Sequence, residues 1–296
     1  MHGFLNVNKS KDMTSFDVIR RLKRVFPRVK MGHLGTLDPM AEGVLPIAIG
    51  NATRVLEYVE AEPKIYAATM TLGGISDTQD ATGNICYSPV TSFDRARLAE
   101  VLDSFTGKIQ QVPPMYSAVH HDGERLYDLA RKGIEVERKP REINIHSIEL
   151  MGEEVDDKGL PLLHLNVTCS TGTYIRTLCH DIGEKLGIGA FLSKLTRTRV
   201  GIFLIQDAYD LNAIRGIDEP QTLIKEIDFP LYRLPEIRVM DENLVQRIKH
   251  GNLVAVTSEA GEGICRVYDP KGCLFSIARC EKEFEACILK PIKVFN

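Results

Sequence analysis

The segment Gly32-His33-Leu34-Gly35-Thr36-Leu37-Asp38-Pro39 sets two glycines, a histidine and one carboxylate on a short stretch ahead of an apolar run. Pro39 disfavours helical geometry at Asp38, and the glycines permit close approach by a backbone or a ligand. A carboxylate presented on such a loop is suited to act as a nucleophile or base, although Asp-Pro also initiates ordinary turns. A second cluster, Ser170-Thr171-Gly172-Thr173-Tyr174-Ile175-Arg176, puts a cation into the first turn of an expected helix. The helix dipole disfavours positive charge at that end by roughly 0.3–1 kcal/mol, so Arg176 breaks a local rule. A carboxylate partner removes the conflict. Facing Asp38, Arg176 would hold it ionised and in one orientation. A purely structural Arg–Asp pair is the alternative. Tyr66, near the start of an apolar strand, reads on its own as a core or rim aromatic. Beside a catalytic carboxylate it would offer a stacking surface for an extruded base.

Other chemistries find less support. Asp77-x-x-Asp80-x-x-Gly83 lacks the spacing and terminal Glu of an EF-hand and reads as a turn. Cys179 and His180, adjacent on a helix, point apart and cannot share one metal. No phosphate loop, dinucleotide-binding glycine pattern or Ser/His/Asp signature is present.

These residues need elements to position them. Ser15 is expected to cap a helix with Asp17 in its first turn and Val18, Ile19, Leu22, Val25 and Phe26 at helical spacing until Pro27. Its other face carries Arg20, Arg21, Lys23 and Arg24, followed by Arg28 and Lys30, with no acid between Asp17 and Asp38. Such a stripe is either a solvated face or a phosphate-tracking surface, and its one-sided charge favours nucleic acid. Val44 to Ile49, with Pro46 inside it, reads as an edge or irregular strand. Tyr66 to Leu72 alternates as a strand, Gly73 and Gly74 break it, and a polar turn with Asp77, Thr78, Asp80 and Gly83 follows. Leu98, Val101, Leu102 and Phe105 form a helical stripe ended by Gly107. After Pro113-Pro114, a polar segment through Arg141 carrying Arg125, Arg131, Lys132, Arg138 and Lys139 suggests a protruding, partly helical insertion. Leu163 to Cys169 alternates as a strand, and Ile175, Leu178, Ile182 and Leu186 form one helical face before Gly187. Leu231 to Pro235 reads as a linker. Short strands punctuated by Gly251, Gly263 and Gly272 then suggest a small all-β module, with the boundary near Leu234.

The chain's 296 residues suggest two domains, and 44% hydrophobic with 26% charged residues fits a soluble globular protein. No apolar stretch approaches the ~18 residues of a membrane span. Met1 to Lys11 lacks the pattern of a secretory signal, so a cytoplasmic address is expected. The seven cysteines form no C-x-x-C pair and are expected to be reduced and mostly buried. A formal charge of −3 excludes a protein basic all over, yet leaves room for local basic surfaces.

Gly32 to Gly50, GHLGTLDPMAEGVLPIAIG, closely resembles the catalytic loop of bacterial TruB-type tRNA pseudouridine synthases. In family order follow Lys64-x-Tyr66, the Ser76-Asp77-Thr78-x-Asp80 turn, Pro113-Pro114-x-Tyr116-Ser117-Ala118, Gly172 to Arg176, and Leu195 to Gly201. The tail through Leu289 to Phe295 resembles the RNA-binding PUA module that ends many members. The resemblance implies that Asp38 is the catalytic aspartate, that Tyr66 stacks on the target base, and that Arg176 pairs with the aspartate. Tyr174 and Leu195 would line the pocket. His33 would help displace the target base, with Lys9, Lys64 and Arg131 as basic RNA-binding residues. It further implies a T-loop uridine of tRNA as substrate, the T-arm as the partner contacted, no cofactor, no metal, no guide RNA, no membrane and a monomer. The implied fold is α+β: a central mixed, largely antiparallel sheet flanked by helices and loops over residues 1–234. A thumb-like insertion falls at about 119–141, and a small C-terminal β-barrel-like PUA domain at 235–296. Two departures stand out. Asn8-Lys9-Ser10-Lys11-Asp12 replaces the family's Asp-Lys-Pro-x-Gly, and His120 stands where a thumb lysine is usual. A glycosidase-like hydrolase, for which Glu42 is the nearest second carboxylate, an RNA-binding chaperone, and a guide-dependent relative are the rival readings.

Overall fold

The computed structural model describes residues 1–296 except 89–91, 118, 258–260, 284–285 and 296. Ala118, the last residue of the Pro113–Ala118 motif, therefore lies outside the described residues. The chain begins β1 (Gly3–Lys9), α1 (Ser15–Val25), β2 (Met31–His33), β3 (Glu42–Ile49), β4 (Lys64–Leu72), β5 (Gly74–Ser76), β6 (Ile85–Tyr87), α2 (Arg95–Ser104) and β7 (Gly107–Gln111). It continues with β8 (His120–His121), β9 (Glu124–Arg125), α3 (Leu126–Arg131), β10 (Arg141–Val155), β11 (Pro161–Cys169), α4 (Ile175–Leu186), β12 (Ala190–Val200), β13 (Phe203–Leu204), β14 (Tyr209–Asp210) and α5 (Leu211–Arg215). The last part holds β15 (Glu236–Arg238), α6 (Glu242–Lys249), β16 (Val254–Thr257), β17 (Gly263–Tyr268), β18 (Leu274–Glu283) and β19 (Ala286–Val294).

The main sheet has ten strands, ordered β14-β1-β3-β12-β4-β11-β10-β7, with β13 and β2 paired beside β12 and β3. Among the described residues, only β1–β14 and β3–β12 of this sheet run parallel, so the sheet is mixed and largely antiparallel, as expected. Period-two alternation divides its side chains. Leu5, Val7, Leu45, Ile47, Ile49, Tyr66, Ala68 and Met70 pack with α1, α2 and α4, whereas Phe4, Val44 and Ala48 join a core on the opposite face.

Each helix follows local chemistry. The N-cap of α1 is Thr14 rather than Ser15, and Thr14 and Asp17 form a reciprocal capping box. Ser15 is freed for another partner, described below. Asp94 caps α2 through Ala96 N–H and Arg97 N–H, and Gly187, at φ 77°, ends α4 in the left-handed conformation that a side chain disfavours.

Strand β3 is not an edge. It pairs with β1 from Gly43 to Ile49, and its other side meets β12 at Glu42 and Gly43 and β2 from Ile47 onward. Pro46 sits in the gap between those two ladders. Its carbonyl accepts from Leu34 N–H, so its nitrogen faces the same gap, where the ladder requires no donor. Close approach to β12 also explains Gly43, at φ 103°, where a Cβ would come within 2.2 Å of Arg197 O.

The C-terminal sheet, ordered β15-β17-β18-β19-β16, is not purely β, because α6 contributes Val245 and Ile248 to its core. Nor is Leu231 to Pro235 a free linker. Leu231 is buried in a core shared by Phe4, Val200, Ile277 and Phe295, which joins the two sheets. Arg54 Nη1 donates to Val294 O at 2.7 Å across that contact. The cysteine expectation fails at one pair: Cys280 and Cys287, on neighbouring strands β18 and β19, form a disulfide, while Cys169, Cys179 and Cys265 are buried free thiols. Among the described residues, no helix is long and apolar enough to cross a membrane.

Candidate active site

The loop from Leu34 to Ala41 leaves β2 and returns as β3, and its backbone is held at nearly every step. Ser15 Oγ accepts from Leu37 N–H at 2.9 Å and donates to Leu37 O at 3.3 Å. Arg197, fully buried on β12, donates from Nε to Val44 O (2.8 Å), from Nη1 to Thr36 O (3.3 Å) and from Nη2 to Gly35 O (2.9 Å). Lys9, also fully buried, donates from Nζ to the carbonyls of Ser10 (3.0 Å), Met13 (2.8 Å) and Pro39 (3.3 Å). The segment is fixed on both sides of Asp38, which leaves that side chain little freedom to wander.

Asp38 Oδ1 accepts from Arg176 Nη2 at 3.0 Å. The same nitrogen donates to Tyr116 O at 2.7 Å, and Nη1 lies 4.0 Å from Asp80 Oδ2. Arg176 is thus a buried cation between two carboxylates, which resolves the dipole conflict at the start of α4. Asp80 is itself positioned: Thr78 Oγ1, Thr82 N–H and Thr82 Oγ1 all donate to its Oδ1. Gln111 receives Tyr174 N–H (2.8 Å) and donates to Tyr174 O (3.0 Å), fixing the residue before α4.

Desolvation by the surrounding protein pushes the Asp38 carboxyl above the ordinary carboxylate value, and Asp80 adds to this, while Arg176, Lys9 and Arg197 oppose it. Burial therefore outweighs the ion pair, against the expectation that Arg176 alone would set the direction. The Asp38 side chain keeps 35% of its surface exposed, so it faces an open mouth rather than a sealed cavity. Tyr66 is buried beside Arg197, its phenol pushed up to about 12 chiefly by desolvation. Leu195 is buried on β12 opposite Ala68 of β4, and the Arg176 guanidinium lies 5.9 Å from the Tyr174 ring centroid. One carboxylate, one orienting cation, an aromatic and apolar walls make a site for proton or nucleophilic chemistry on a planar, mostly apolar group.

A family model described as TruB family pseudouridylate synthase (N terminal domain) matches residues 23–175, and another, tRNA pseudouridylate synthase B C-terminal domain, matches 176–226. The chain belongs to the TruB family of pseudouridylate synthases. It is similar to "tRNA pseudouridine synthase B" of Syntrophomonas wolfei subsp. wolfei, 51% identical over 300 residues that cover 100% of this chain and 99% of the relative. The protein of the same description from Moorella thermoacetica is 42% identical, with 99% of both chains covered. Among solved structures, a chain of a Cbf5-Nop10-Gar1 complex aligns with a TM-score of 0.72 at 26% identity, covering 99% of this chain and 85% of that one.

For this TruB family chain the remaining expected residues fall into two groups. His33 ends β2, with Nδ1 buried and unpartnered, its basicity lowered by burial and then by Arg197. Lys64 opens β4 close to Gly35 and Arg197, and burial lowers its ammonium to about 8. Both lie at the carboxylate loop. Arg131 lies elsewhere, exposed at the end of α3 in the insertion and 5.5 Å from the Tyr127 ring centroid. Lys9 departs from its expected role: all its donors are spent on carbonyls in a buried site, so it braces the loop instead of presenting a charge to RNA. The altered Asn8 to Asp12 segment is therefore part of the brace, with Asp12 at φ 62° and its N–H on Pro39 O. Glu42, the candidate second carboxylate of a hydrolase, is exposed at the start of β3, and the second carboxylate beside Arg176, after Asp38, is Asp80. Asp80 was expected only as part of a turn and Arg197 only within the Leu195 to Gly201 motif, neither as a residue of the site. The available signal for Arg197 was a charge at an inward position of an alternating strand, Leu195-x-Arg197.

Proposed function

We propose that the chain isomerises a T-loop uridine of tRNA to pseudouridine, with Asp38 as the essential carboxylate. The observation that carries this is the Asp38–Arg176 contact at 3.0 Å, made by a loop and a helix far apart in sequence, with Tyr66 beside it. The reaction breaks the N1–C1′ bond, turns the detached uracil and joins C5 to C1′. The proton lost from C5 and the one gained at N1 balance, so the product is an isomer and no group is added. Asp38 supplies the negative charge at the sugar or base, and Arg176 fixes its orientation. Tyr66, Tyr174 and Leu195 wall the pocket so that free uracil does not escape. Neither a metal nor an organic cofactor has a step to perform.

In this reading RNA is gripped by the 119–141 insertion with Arg131, while His33 and Lys64 act where the base leaves its stack. Residues 235–296 form a PUA-like RNA-binding unit, and residues 1–234 the catalytic unit. The enzyme works alone, as a monomer without a guide RNA. The end-to-end identity of 51% to a relative described as a tRNA pseudouridine synthase, against 26% to a chain from a multiprotein complex, supports this choice.

The test is tritium release from unmodified tRNA labelled at uracil C5, comparing wild type with Asp38→Asn. Release confined to the T-loop uridine, lost in the variant while tRNA affinity persists, is the expected result. No release by folded, tRNA-binding wild type refutes the stand-alone synthase reading.

A further inference from the structure

Helix α1 carries charge that the chemistry at Asp38 does not use. Arg20 is paired with Asp17, but Arg21 and Arg24 face Arg215 of α5 around a pocket of about 280 Å³ also lined by Leu211 and Asn212. Among the described residues these three arginines form no ion pair and no side-chain hydrogen bond. Asp17, which also feels the charge of Arg21, is bonded to Thr14 and Arg20, and Asp210 stands at the N-cap position of α5, the end away from Arg215. Three converging guanidiniums, none in an ion pair and only Arg21 within electrostatic reach of a carboxylate that Arg20 already holds, make a receptor for an anion whose oxygens match the guanidinium fork.

Its place in the fold identifies the anion. Through Ser15, α1 begins on the backbone of Leu37, one residue from Asp38. At 1.5 Å rise per residue, Arg21 and Arg24 lie about 9 and about 14 Å along the axis, a span of roughly three or four nucleotides at ~3.4 Å each. The sheet order sets β14, which leads into α5, at one edge and β7, which leads into the 119–141 insertion, at the other. We propose that Arg21, Arg24 and Arg215 bind backbone phosphate of the RNA substrate a few nucleotides from the flipped uridine, at the edge opposite the insertion. This rests on the synthase reading only in taking RNA as the ligand.

The experiment measures binding of an unmodified tRNA transcript as a function of salt for wild type, Arg21→Gln/Arg24→Gln/Arg215→Gln, and a control triple, Arg95→Gln/Arg97→Gln/Lys108→Gln, which removes equal charge near the β7 edge. The arginine triple is expected to lower the slope of log affinity against log salt by about 2, from about 0.7 per strand phosphate, and to weaken binding about tenfold at moderate salt. The control stays within about twofold, and single-turnover tritium release at saturating RNA stays near wild type. An unchanged slope overturns the proposal, including in favour of an acidic protein as the occupant. So do equal losses in both triples, which reduce the effect to net charge. Arg24→Gln alone, with an expected slope change of about 0.7, covers a triple that fails a melting check. Tritium release by wild type in the same assay separates failure of this proposal from failure of the synthase reading.

Discussion

Arg197→Met removes the brace of the carboxylate loop while keeping the length and apolar stem of the side chain. Two good charged hydrogen bonds, at 2.8 and 2.9 Å, and one weaker bond at 3.3 Å are lost, and the carbonyls of Gly35, Thr36 and Val44 lose that donor. At about 1.5–3 kcal/mol for a hydrogen bond to a charged group, the two good bonds represent about 3–6 kcal/mol. Against this stands the several kcal/mol spent in burying a guanidinium, recovered when the charge is removed. The net destabilisation is on the order of 2 kcal/mol, and melting falls by roughly 4 °C or more. Catalysis suffers more, because a displacement of about 1 Å at the reacting group can cost about 100-fold. Calorimetry, tRNA affinity and single-turnover tritium release should therefore show a modest loss of stability, affinity within about threefold of wild type, and a rate lower by about 100-fold. A folded variant with wild-type rate, or one whose whole defect lies in affinity, refutes the claim that Arg197 positions Asp38.

The pH dependence follows from the like charge of Asp80, which helps raise Asp38. A reaction that needs ionised Asp38 loses rate as pH falls through its pKa, so Asp80→Asn should move the acid limb of the single-turnover profile to lower pH even as weaker fixing of Arg176 lowers the plateau. An acid limb that stays put or moves upward contradicts this electrostatic account. Lys9 titrates near 8 in the fold, against about 10.4 for a free lysine. Between those values the unfolded chain binds more protons, so the penalty of burying the charged amine is full below about 8 and fades as pH rises toward 10. Lys9→Met removes that term, so the stability difference, wild type minus variant, should rise with pH across this window in denaturant titrations. A flat difference would show that Lys9 keeps its proton throughout.

Legibility in the sequence tracked the range of the interaction. The amphipathic helix of α1, the strand over Tyr66 to Leu72, the helix after Gly172 and the insertion before Arg141 follow from local periodicity and turn chemistry. Pro46 misled because proline is excluded from a strand interior only where the ladder needs its N–H, and the offset between β2 and β12 was set by register. The helix α6 inside a unit expected to be all β follows from Asp241 capping an eight-residue amphipathic turn that glycine punctuation obscured. At the site, Asp38 and Arg176 announced themselves through a proline-restricted carboxylate and a cation at the wrong helix end. Asp80 looked like a turn residue, and Arg197 lay unremarked inside the Leu195 to Gly201 stretch. Their roles exist only once β12 lies between β3 and β4.

That arrangement also explains why two cations can be buried beside one carboxylate. A full counter-carboxylate for Lys9 or Arg197 would neutralise the brace but add negative charge near Asp38, raising it further and weakening it as an ionised catalyst. Carbonyl oxygens satisfy the donors without that cost, so both cations keep their long-range pull on Asp38 while holding its loop by hydrogen bonds. Asp80 is the exception, and it lies across Arg176 from Asp38, where its charge fixes the orienting cation. Preorganisation here comes from charged donors on neutral acceptors, and it is spent on one carboxylate.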